Sequence, residues 1–170
     1  VIPAAEMVQK VRAACDARRD PDLVIMARTD AAGVTDVDDA IDRLIRYAEA
    51  GADALYADAL LSAEDIEKVA RAVPRPYVCN MGFGLQARST TPLLTAKQLQ
   101  GMGVAMVTYP RMLSSAAVHG MMTAMKAFKD GAYADTPVER PDLQVDFAQL
   151  SDLMGLTELD AMETQYETSD

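Results

Sequence analysis

Four short apolar runs stand out along this chain, and polar residues lie where each of them ends. A continuous apolar run of this length is typical of a parallel strand whose two faces are both covered by helices. The segments between the runs have helical periodicity, and the spacing of the runs fits βα units of about 30 residues. The predicted strands are Leu23–Ala27, Ala54–Ala57, Tyr77–Asn80 and Val104–Tyr109. The pattern therefore predicts an α/β chain with a parallel sheet.

Helix signals accompany these strands. Ser62 and Thr95 stand at predicted N-caps, because an Asp or a Gln follows each of them three residues later. Gly51 is placed to end the second of the predicted helices. The longest predicted helix runs from about 113 to 129. Its apolar stripe, which is expected to be buried, consists of Val118, Met121, Met122, Met125 and Phe128.

The order of the predicted elements fits two architectures. One is a small doubly wound sheet, and the other is half of a (β/α)8 barrel, since a whole barrel needs about 250 residues and this chain has 170. A half barrel leaves two strand edges unpaired and therefore needs a partner to cover them. Residues 1–131 are expected to form the body. Residues 132–170 are expected to form a linker and C-terminal helices that pack on the body or on a neighbouring subunit.

Composition narrows the class of partner. The formal net charge of −10 disfavours binding to nucleic acid or to anionic membrane surfaces. Cys15 and Cys79 lie far apart without metal-type spacing, which predicts reduced core residues of a cytoplasmic protein. No apolar run approaches the length of a membrane span. These features favour a small molecule as the partner.

Polar side chains at the strand ends are the candidates for chemistry. The carboxyl ends of parallel strands meet at the edge where α/β enzymes bind their ligands. Arg28, Asp58 and Asn80 lie at the ends of the first three predicted strands. An arginine at this edge favours a small anion, because a guanidinium offers two N–H groups that match a carboxylate or phosphate. Asp30 is expected to cap the following loop.

An ordered set of motifs resembles the isocitrate lyase/phosphoenolpyruvate mutase superfamily. The motifs are Arg28-Thr29-Asp30-Ala31, Asp39-Ala40-Ile41, the run from Tyr47 to Ala54, Asn80-Met81, Thr91-Pro92-Leu93, the run from Met106 to Pro110, and Phe147-x-x-Leu150-x-x-Leu153. The resemblance covers essentially the whole chain. It implies a (β/α)8 TIM barrel of which this chain is the second half, units 5–8, plus a C-terminal helical tail. It also implies a Mg²⁺ cofactor and a homo-oligomer, usually a tetramer, whose terminal helices swap between subunits.

The resemblance implies roles for individual residues. Arg28 matches the family arginine that grips a substrate carboxylate or phosphonate, and Asn80 matches an asparagine that donates to a substrate carboxylate. Asp58 stands where family members commonly have a glutamate that contacts a substrate oxygen or metal-bound water. It is therefore the predicted catalytic carboxylate, although it is one methylene shorter. The loop after Asn80 is longer than in the family, and within it Thr91 and Arg88 are predicted to bind substrate.

The metal-binding aspartates of the family, and its Lys-Lys-Cys-Gly-His segment, precede the part that this chain resembles. The chain is therefore expected to lack direct metal ligands and to be inactive without a missing N-terminal half-barrel. The predicted function is a Mg²⁺-dependent carbon–carbon lyase acting on a 2-hydroxy di- or tricarboxylate, as 2-methylisocitrate lyases do. An oxaloacetate decarboxylase or a phosphonate mutase or hydrolase is an alternative within the family. A non-catalytic half-barrel module for binding or assembly and a doubly wound regulatory domain are alternatives from other classes.

Overall fold

The computed structural model describes residues 1–84 and 92–167, and the chain forms two compact units, Val1–Met112 and Leu113–Asp170. In the first unit, helices alternate with strands. The elements are α1 (Ala4–Ala17), β1 (Met26–Thr29), α2 (Val37–Glu49), β2 (Ala54–Ala57), α3 (Ala63–Ala72), β3 (Tyr77–Asn80), α4 (Ala96–Met102) and β4 (Met106–Thr108). A 3₁₀ turn, Ala31–Gly33, follows β1. The predicted α/β class with a parallel sheet is confirmed.

The four strands form one parallel sheet in the order β1-β2-β3-β4. A doubly wound sheet reverses its strand order at a switch point, and the described residues contain no such reversal. Each connection instead adds the next strand on the same side, as successive units of a (β/α)8 barrel do. The strand order therefore favours a partial barrel over a doubly wound sheet. That these strands are units 5–8 stays a prediction.

The main core lies on one face of the sheet, where helices cover alternate residues of each strand. Ala27, Leu55 and Tyr77 point to this face and belong to one cluster with residues from the helices. The buried side chains of the helices include Leu44 and Ile66, which are at most 1% exposed. This packing leaves the residues between them in each strand on the opposite face, where the candidate site lies.

The predicted helix signals are present. Ser62 accepts a hydrogen bond from the Asp65 backbone N–H, and Thr95 forms a reciprocal capping box with Gln98. Gly51 follows α2 with a φ of 111°, a conformation that L side chains disfavour. These local interactions fix where α2 ends and where α3 and α4 begin.

The inner strands have the predicted bounds, whereas the outer strands do not. The prediction of Leu23–Ala27 for the first strand is wrong, since β1 covers Met26–Thr29, and β4 is shorter than the predicted Val104–Tyr109. Pairing explains the shift, because all four residues of β1 lie opposite the four residues of β2. Arg28 therefore lies within β1, one residue before its carboxyl end, and not after the strand.

The second unit contains the long helix and the tail. Its helices are α5 (Met112–Gly131), α6 (Phe147–Leu153) and α7 (Leu156–Tyr166), with a 3₁₀ turn at Pro141–Leu143. The division between the units falls after Met112, the first residue of α5, whereas the sequence placed the end of the body at residue 131. The barrel boundary and the packing of residues 132–170 stay predictions.

The apolar stripe of α5 is exposed, so the prediction that it is buried is wrong. Its five members are 51–67% exposed: Val118, Met121, Met122, Met125 and Phe128. The helical period identifies the side of a helix that favours burial, but burial also requires a surface to pack against. Both cysteines are free thiols, with Cys79 buried and Cys15 half-buried. None of the described helices is long and apolar enough to cross a membrane.

Candidate functional site

A cluster of polar side chains lies at the carboxyl ends of β1, β2 and β3, on the sheet face away from the main core. Arg28 lies opposite Tyr56 in the strand register, and Asp58 directly follows β2. Asn80 is the last residue of β3 and lies opposite Thr108. Parallel pairing therefore brings the predicted residues Arg28, Asp58 and Asn80 to the same edge, as the sequence predicts.

The Arg28 guanidinium is held by two carboxylates. Its Nε donates to Asp30 Oδ1 at 2.7 Å, and its Nη2 donates to Asp30 Oδ2 at 3.0 Å and to Asp58 Oδ2 at 2.5 Å. The hydrogen bonds between Arg28 and Asp30 hold the pKa of the Asp30 carboxyl below its usual range. The same bonds raise the pKa of Arg28. Arg28 is therefore a fixed cation, with its side chain 49% exposed to solvent.

Asp30 does not have its predicted role. It precedes the 3₁₀ turn, but its side chain makes no capping hydrogen bond there and pairs with Arg28 instead. Thr29 makes the side-chain hydrogen bond at this turn instead, because its Oγ1 accepts from the Ala31 backbone N–H at 3.2 Å. Residues two apart on a strand point to the same face, so the spacing of Arg28 and Asp30 is a sequence signal for this pair.

Asp58 is held by its backbone surroundings as well as by Arg28. Its Oδ1 accepts from the Ala59 backbone N–H at 2.9 Å, and Ala59 has a φ of 61°. A Cβ on Gly33 would lie 2.9 Å from the Ala59 Cβ, so the loops after β1 and β2 approach closely only because residue 33 is glycine. This close approach places Asp30 and Asp58 on either side of one guanidinium.

Tyr56 belongs to the site, although the sequence does not single it out. The Arg28 Cζ lies 5.0 Å from the centroid of its ring, within the range of a cation–π contact. Burial raises the pKa of Tyr56 to about 12, and the nearby Asp58 carboxylate adds to this effect. The phenol is therefore neutral at physiological pH. The only feature of the sequence that points to Tyr56 is its hydroxyl, since the other residues of β2 are apolar.

Asn80 carries a buried polar atom that lacks a partner. Its Oδ1 accepts no hydrogen bond from any part of the chain that the structure describes. Such an atom costs about 1–3 kcal/mol, and ligand sites are among the places where this cost is met. As oriented, the amide presents Oδ1, which can accept a hydrogen bond from a hydroxyl or water. With the amide flipped, Nδ2 takes this place and can donate to a carboxylate.

Cys79 lies beside these groups but is unsuited to nucleophilic chemistry. It lines a small cavity together with Asp58 and Asn80. Burial, with a smaller contribution from the Asp58 carboxylate, raises its pKa to about 11. The protonated thiol is a weak nucleophile. The predicted substrate-binding residues Thr91 and Arg88 lie outside the described residues.

The described residues do not fit a Mg²⁺ site. Protein Mg²⁺ sites are built from carboxylate oxygens and waters in octahedral geometry. Within residues 1–84 and 92–167, no three His, Cys, Asp or Glu side chains come together as a ligand set. The two carboxylates at the sheet edge, Asp30 and Asp58, both bind Arg28. Both carboxylates at this edge are therefore engaged by a cation of the protein.

Comparisons with known proteins agree with this arrangement. A family model described as phosphoenolpyruvate phosphomutase matches residues 1–129. The chain belongs to the phosphoenolpyruvate mutase/isocitrate lyase superfamily. It is 33% identical over 168 residues to 2,3-dimethylmalate lyase of Eubacterium barkeri, which covers 99% of this chain and 56% of that protein. It is 42% identical over 124 residues to 2-methylisocitrate lyase of Escherichia coli (strain K12), which covers 70% of this chain and 40% of that protein.

Solved structures of this superfamily share the fold. The crystal structure of 2,3-dimethylmalate lyase matches with a TM-score of 0.80 at 24% identity, covering 98% of this chain and 57% of that one. Phosphonopyruvate hydrolase in complex with oxalate and Mg²⁺ matches with a TM-score of 0.76 at 24% identity, covering 98% and 57%. The chain thus spans about half the length of the relatives it matches.

Proposed function

We propose that this chain supplies the carboxylate-binding half of a carbon–carbon lyase that acts on a 2-hydroxy di- or tricarboxylate. Superfamily membership supports lyase-type chemistry, and the relatives include 2-methylisocitrate and 2,3-dimethylmalate lyases. The finer assignment rests on one observation, the fixed guanidinium of Arg28 at the carboxyl edge of the sheet. A cation in this place stabilises the carboxylate of a substrate and the negative charge that develops when a 2-oxo acid departs.

Each residue of the site has a proposed role. Arg28 binds a substrate carboxylate through its Nη1 N–H groups, because Nε and Nη2 are already bonded to Asp30 and Asp58. Asn80 orients a second polar group of the substrate through its amide, whose Oδ1 has no hydrogen-bond partner among the described residues. Asp58 lies close enough to act on a substrate oxygen beside Arg28. Thr91 and Arg88 are proposed to complete the binding of the substrate.

Mg²⁺ is part of the proposal as a cofactor of the complete enzyme. Since the described residues offer no ligand set, its ligands would come from the half-barrel that the relatives possess and this chain does not span. When bound, the ion would polarise the oxygen at C2, which is a hydroxyl in the substrate and becomes the oxo group of the departing 2-oxo acid. The residues of this chain would bind and orient the carboxylates.

The exposed apolar faces support a proposed mode of assembly. The stripe of α5 and most apolar side chains of α6 and α7 are exposed, including Phe147 at 88% and Leu153 at 79%. Exposed apolar surface of this kind favours association. We propose a cytoplasmic homo-oligomer, a tetramer, held together through these C-terminal helices.

The first test separates binding from turnover. Oxalate is titrated into the chain by calorimetry, and the chain is assayed with Mg²⁺ and 2-methylisocitrate, 2,3-dimethylmalate, oxaloacetate or phosphonopyruvate. The same assays are run on the product of the complete reading frame from the source. The chain is expected to bind oxalate without turnover, whereas the complete product is expected to cleave a 2-hydroxy acid. Cleavage of phosphonopyruvate or oxaloacetate alone would assign a different reaction of the superfamily.

Arg28 variants provide the control for this test. Arg28→Ala is expected to weaken oxalate binding about tenfold or more, since a charge-assisted bond contributes about 1.5–3 kcal/mol. Arg46→Ala is the matched control, because Arg46 forms an ion pair with Asp42 on the exposed side of α2. Equal losses in the two variants would argue against Arg28 as the binding residue.

A second candidate function is a non-catalytic module for binding or assembly. It is favoured by the lack of a metal ligand set among the described residues. It predicts oxalate binding with no Mg²⁺-dependent turnover, even by the product of the complete reading frame. It is excluded by turnover of any substrate in the panel.

A further inference from the structure

Two carboxylates restrain movement of the Arg28 guanidinium within its own plane. The ring of Tyr56 restrains its movement out of that plane. Asp30 and Asp58 accept hydrogen bonds from Nε and Nη2, which limits rotation of the group within its plane. These bonds resist a tilt of the plane only weakly, because hydrogen bonds to carboxylate oxygens tolerate a broad range of angles at the acceptor. The Arg28 Cζ lies over the ring of Tyr56, 5.0 Å from its centroid, so the ring restricts movement of the guanidinium toward this side.

The tilt matters because it sets the direction of the unused donors. Among the described residues, no acceptor bonds to either N–H of Nη1, so these two N–H groups are available to a ligand. Hydrogen bonds weaken steeply as their angle departs from linearity. A guanidinium that tilts by tens of degrees would therefore lose part of its bond to a carboxylate that is fixed elsewhere.

Tyr56 is well placed to hold this tilt. It is 8% exposed and lies in the inner strand β2, directly opposite Arg28 in the register and opposite Val78 on the other side. It forms a small separate cluster with Ala54 and Val78 on this face of the sheet. The ring is therefore a rigid surface beside a side chain that is half exposed.

We propose that Tyr56 is a positioning residue whose ring fixes the plane of the Arg28 guanidinium and so aims Nη1 at the substrate carboxylate. The proposed role belongs to the ring, which makes the contact with Cζ, whereas the hydroxyl interacts with the Asp58 carboxylate. This inference rests on the proposed function, in which Arg28 binds the carboxylate. It gives β2, through Tyr56, a role in orienting the substrate. This role is additional to the one proposed for Asp58, which directly follows the strand.

The test compares Tyr56→Phe, which keeps the ring, with Tyr56→Leu, which removes it, in the full chain. Tyr77→Leu is the matched control, because Tyr77 is also a buried tyrosine on the neighbouring strand but faces the main core. Two readouts are used: oxalate affinity by calorimetry, and the NMR shift of the Arg28 Hδ protons. A ring face moves protons above it upfield, and a general loss of stability does not reproduce this shift in the folded state.

The Arg28 Hδ resonance is expected upfield in the wild type and in Tyr56→Phe and close to its unstructured value in Tyr56→Leu. Oxalate affinity is expected to fall about three- to tenfold in Tyr56→Leu, because the less restrained guanidinium must then be ordered on binding, which costs about 0.5–1.5 kcal/mol, and to be restored in Tyr56→Phe. Tyr77→Leu is expected to lower stability without a comparable loss of affinity for oxalate.

Three results would overturn the inference or separate it from the proposed function. An Arg28 resonance without an upfield shift in the wild type refutes the positioning role. Unchanged affinity in Tyr56→Leu, or equal loss in Tyr77→Leu, also refutes it while leaving the proposed function in place. Failure of the wild type to bind oxalate, together with an upfield shift that Tyr56→Leu removes, refutes Arg28 as the carboxylate site. The ring contact then stands as a structural feature, and its substrate-orienting role falls with the proposed function.

Discussion

Replacing Asp58 by asparagine separates the two effects that this carboxylate has on the site. In the wild type, Asp58 Oδ2 accepts from Arg28 Nη2 at 2.5 Å, so its charge both holds the guanidinium and repels an incoming anion. Asp58→Asn keeps the shape and an oxygen that accepts from Nη2, but it removes the charge. We expect oxalate to bind more tightly to this variant, and turnover by the complete enzyme to fall if Asp58 has its proposed catalytic role.

The size of the gain follows from the geometry. A ligand oxygen bonded to Nη1 lies about 5 Å from Asp58 Oδ2, given the usual lengths of such bonds. The side chains of Arg28 and Asp58 are 49% and 31% exposed, so the effective dielectric constant is close to that of water. Repulsion between two unit charges is then about 1 kcal/mol, which corresponds to about a fivefold change in affinity.

The free energy of unfolding should change less in Asp58→Asn than the free energy of oxalate binding. An ion pair this exposed contributes about 0.2–1 kcal/mol, and the asparagine oxygen retains part of it. The assay is calorimetric titration with oxalate at low salt and at 1 M salt, alongside urea unfolding. The gain in affinity should shrink at 1 M salt, where charges are screened over about 3 Å.

The control for this experiment is Asp42→Asn, which makes the same change in net charge on the exposed side of α2, where Asp42 pairs with Arg46. It is expected to leave oxalate affinity within about twofold of the wild type, because Asp42 makes no contact with Arg28 and salt screens its exposed charge. Weaker oxalate binding in Asp58→Asn would refute the reasoning, since it would mean that the carboxylate helps the anion to bind. An equal gain in both variants would show a general charge effect.

Three further predictions concern stability and reactivity. Arg28 holds the pKa of Asp30 below its unfolded value near 3.9, so Asp30 stabilises the fold above about pH 4 and loses this effect as pH falls through its folded-state pKa. In urea unfolding, the difference between wild type and Asp30→Asn should therefore narrow on acidification, and a constant difference would contradict it. Leu44→Ala is expected to cost about 2–5 kcal/mol and Met121→Ala less than about 0.5 kcal/mol in urea unfolding of the dilute chain, since Leu44 is fully buried and Met121 is 60% exposed. A larger cost at Met121 would mean that α5 is covered in solution. Burial raises the pKa of Cys79 to about 11, so a disulfide reagent at pH 8 should label one thiol per folded chain and two after denaturation, and two fast thiols in the folded chain would refute this.

The inner strands were predictable because their continuous apolar sequence indicates burial on both faces. In Ala54–Ala57 every residue is buried, and in Tyr77–Asn80 all but the last are. Continuous apolar sequence is sufficient to identify strands of this kind. The outer strand β1 differs, since Leu23 and Val24 are apolar but exposed, and the strand extends only where β2 offers partners. Bounds that depend on pairing cannot be obtained from the pattern of one segment.

The candidate site was predictable in position but not in its internal bonding. Parallel strands bring their carboxyl ends to one edge, so Arg28, Asp58 and Asn80 had to lie near one another once the strands were correct. The partners of Arg28 depended on the close approach of two loops at Gly33 and Ala59, which the sequence does not specify. Tyr56 was missed because an aromatic residue in a strand is most often a core residue.

The sheet face away from the helices shows why exposure is the hardest property to predict for this chain. On this face, Met26 lies opposite Ala54 across the β1–β2 pair, and Val78 lies opposite Met106 across the β3–β4 pair. Ala54 and Val78, on the inner strands, are 8% and 2% exposed, whereas Met26 and Met106, on the outer strands, are 46% and 49% exposed. In a closed barrel, the side chains that point inward from the strands are packed in interior layers. The same residues are therefore core or surface according to what lies beside the outer strands, and their sequence is equally compatible with either.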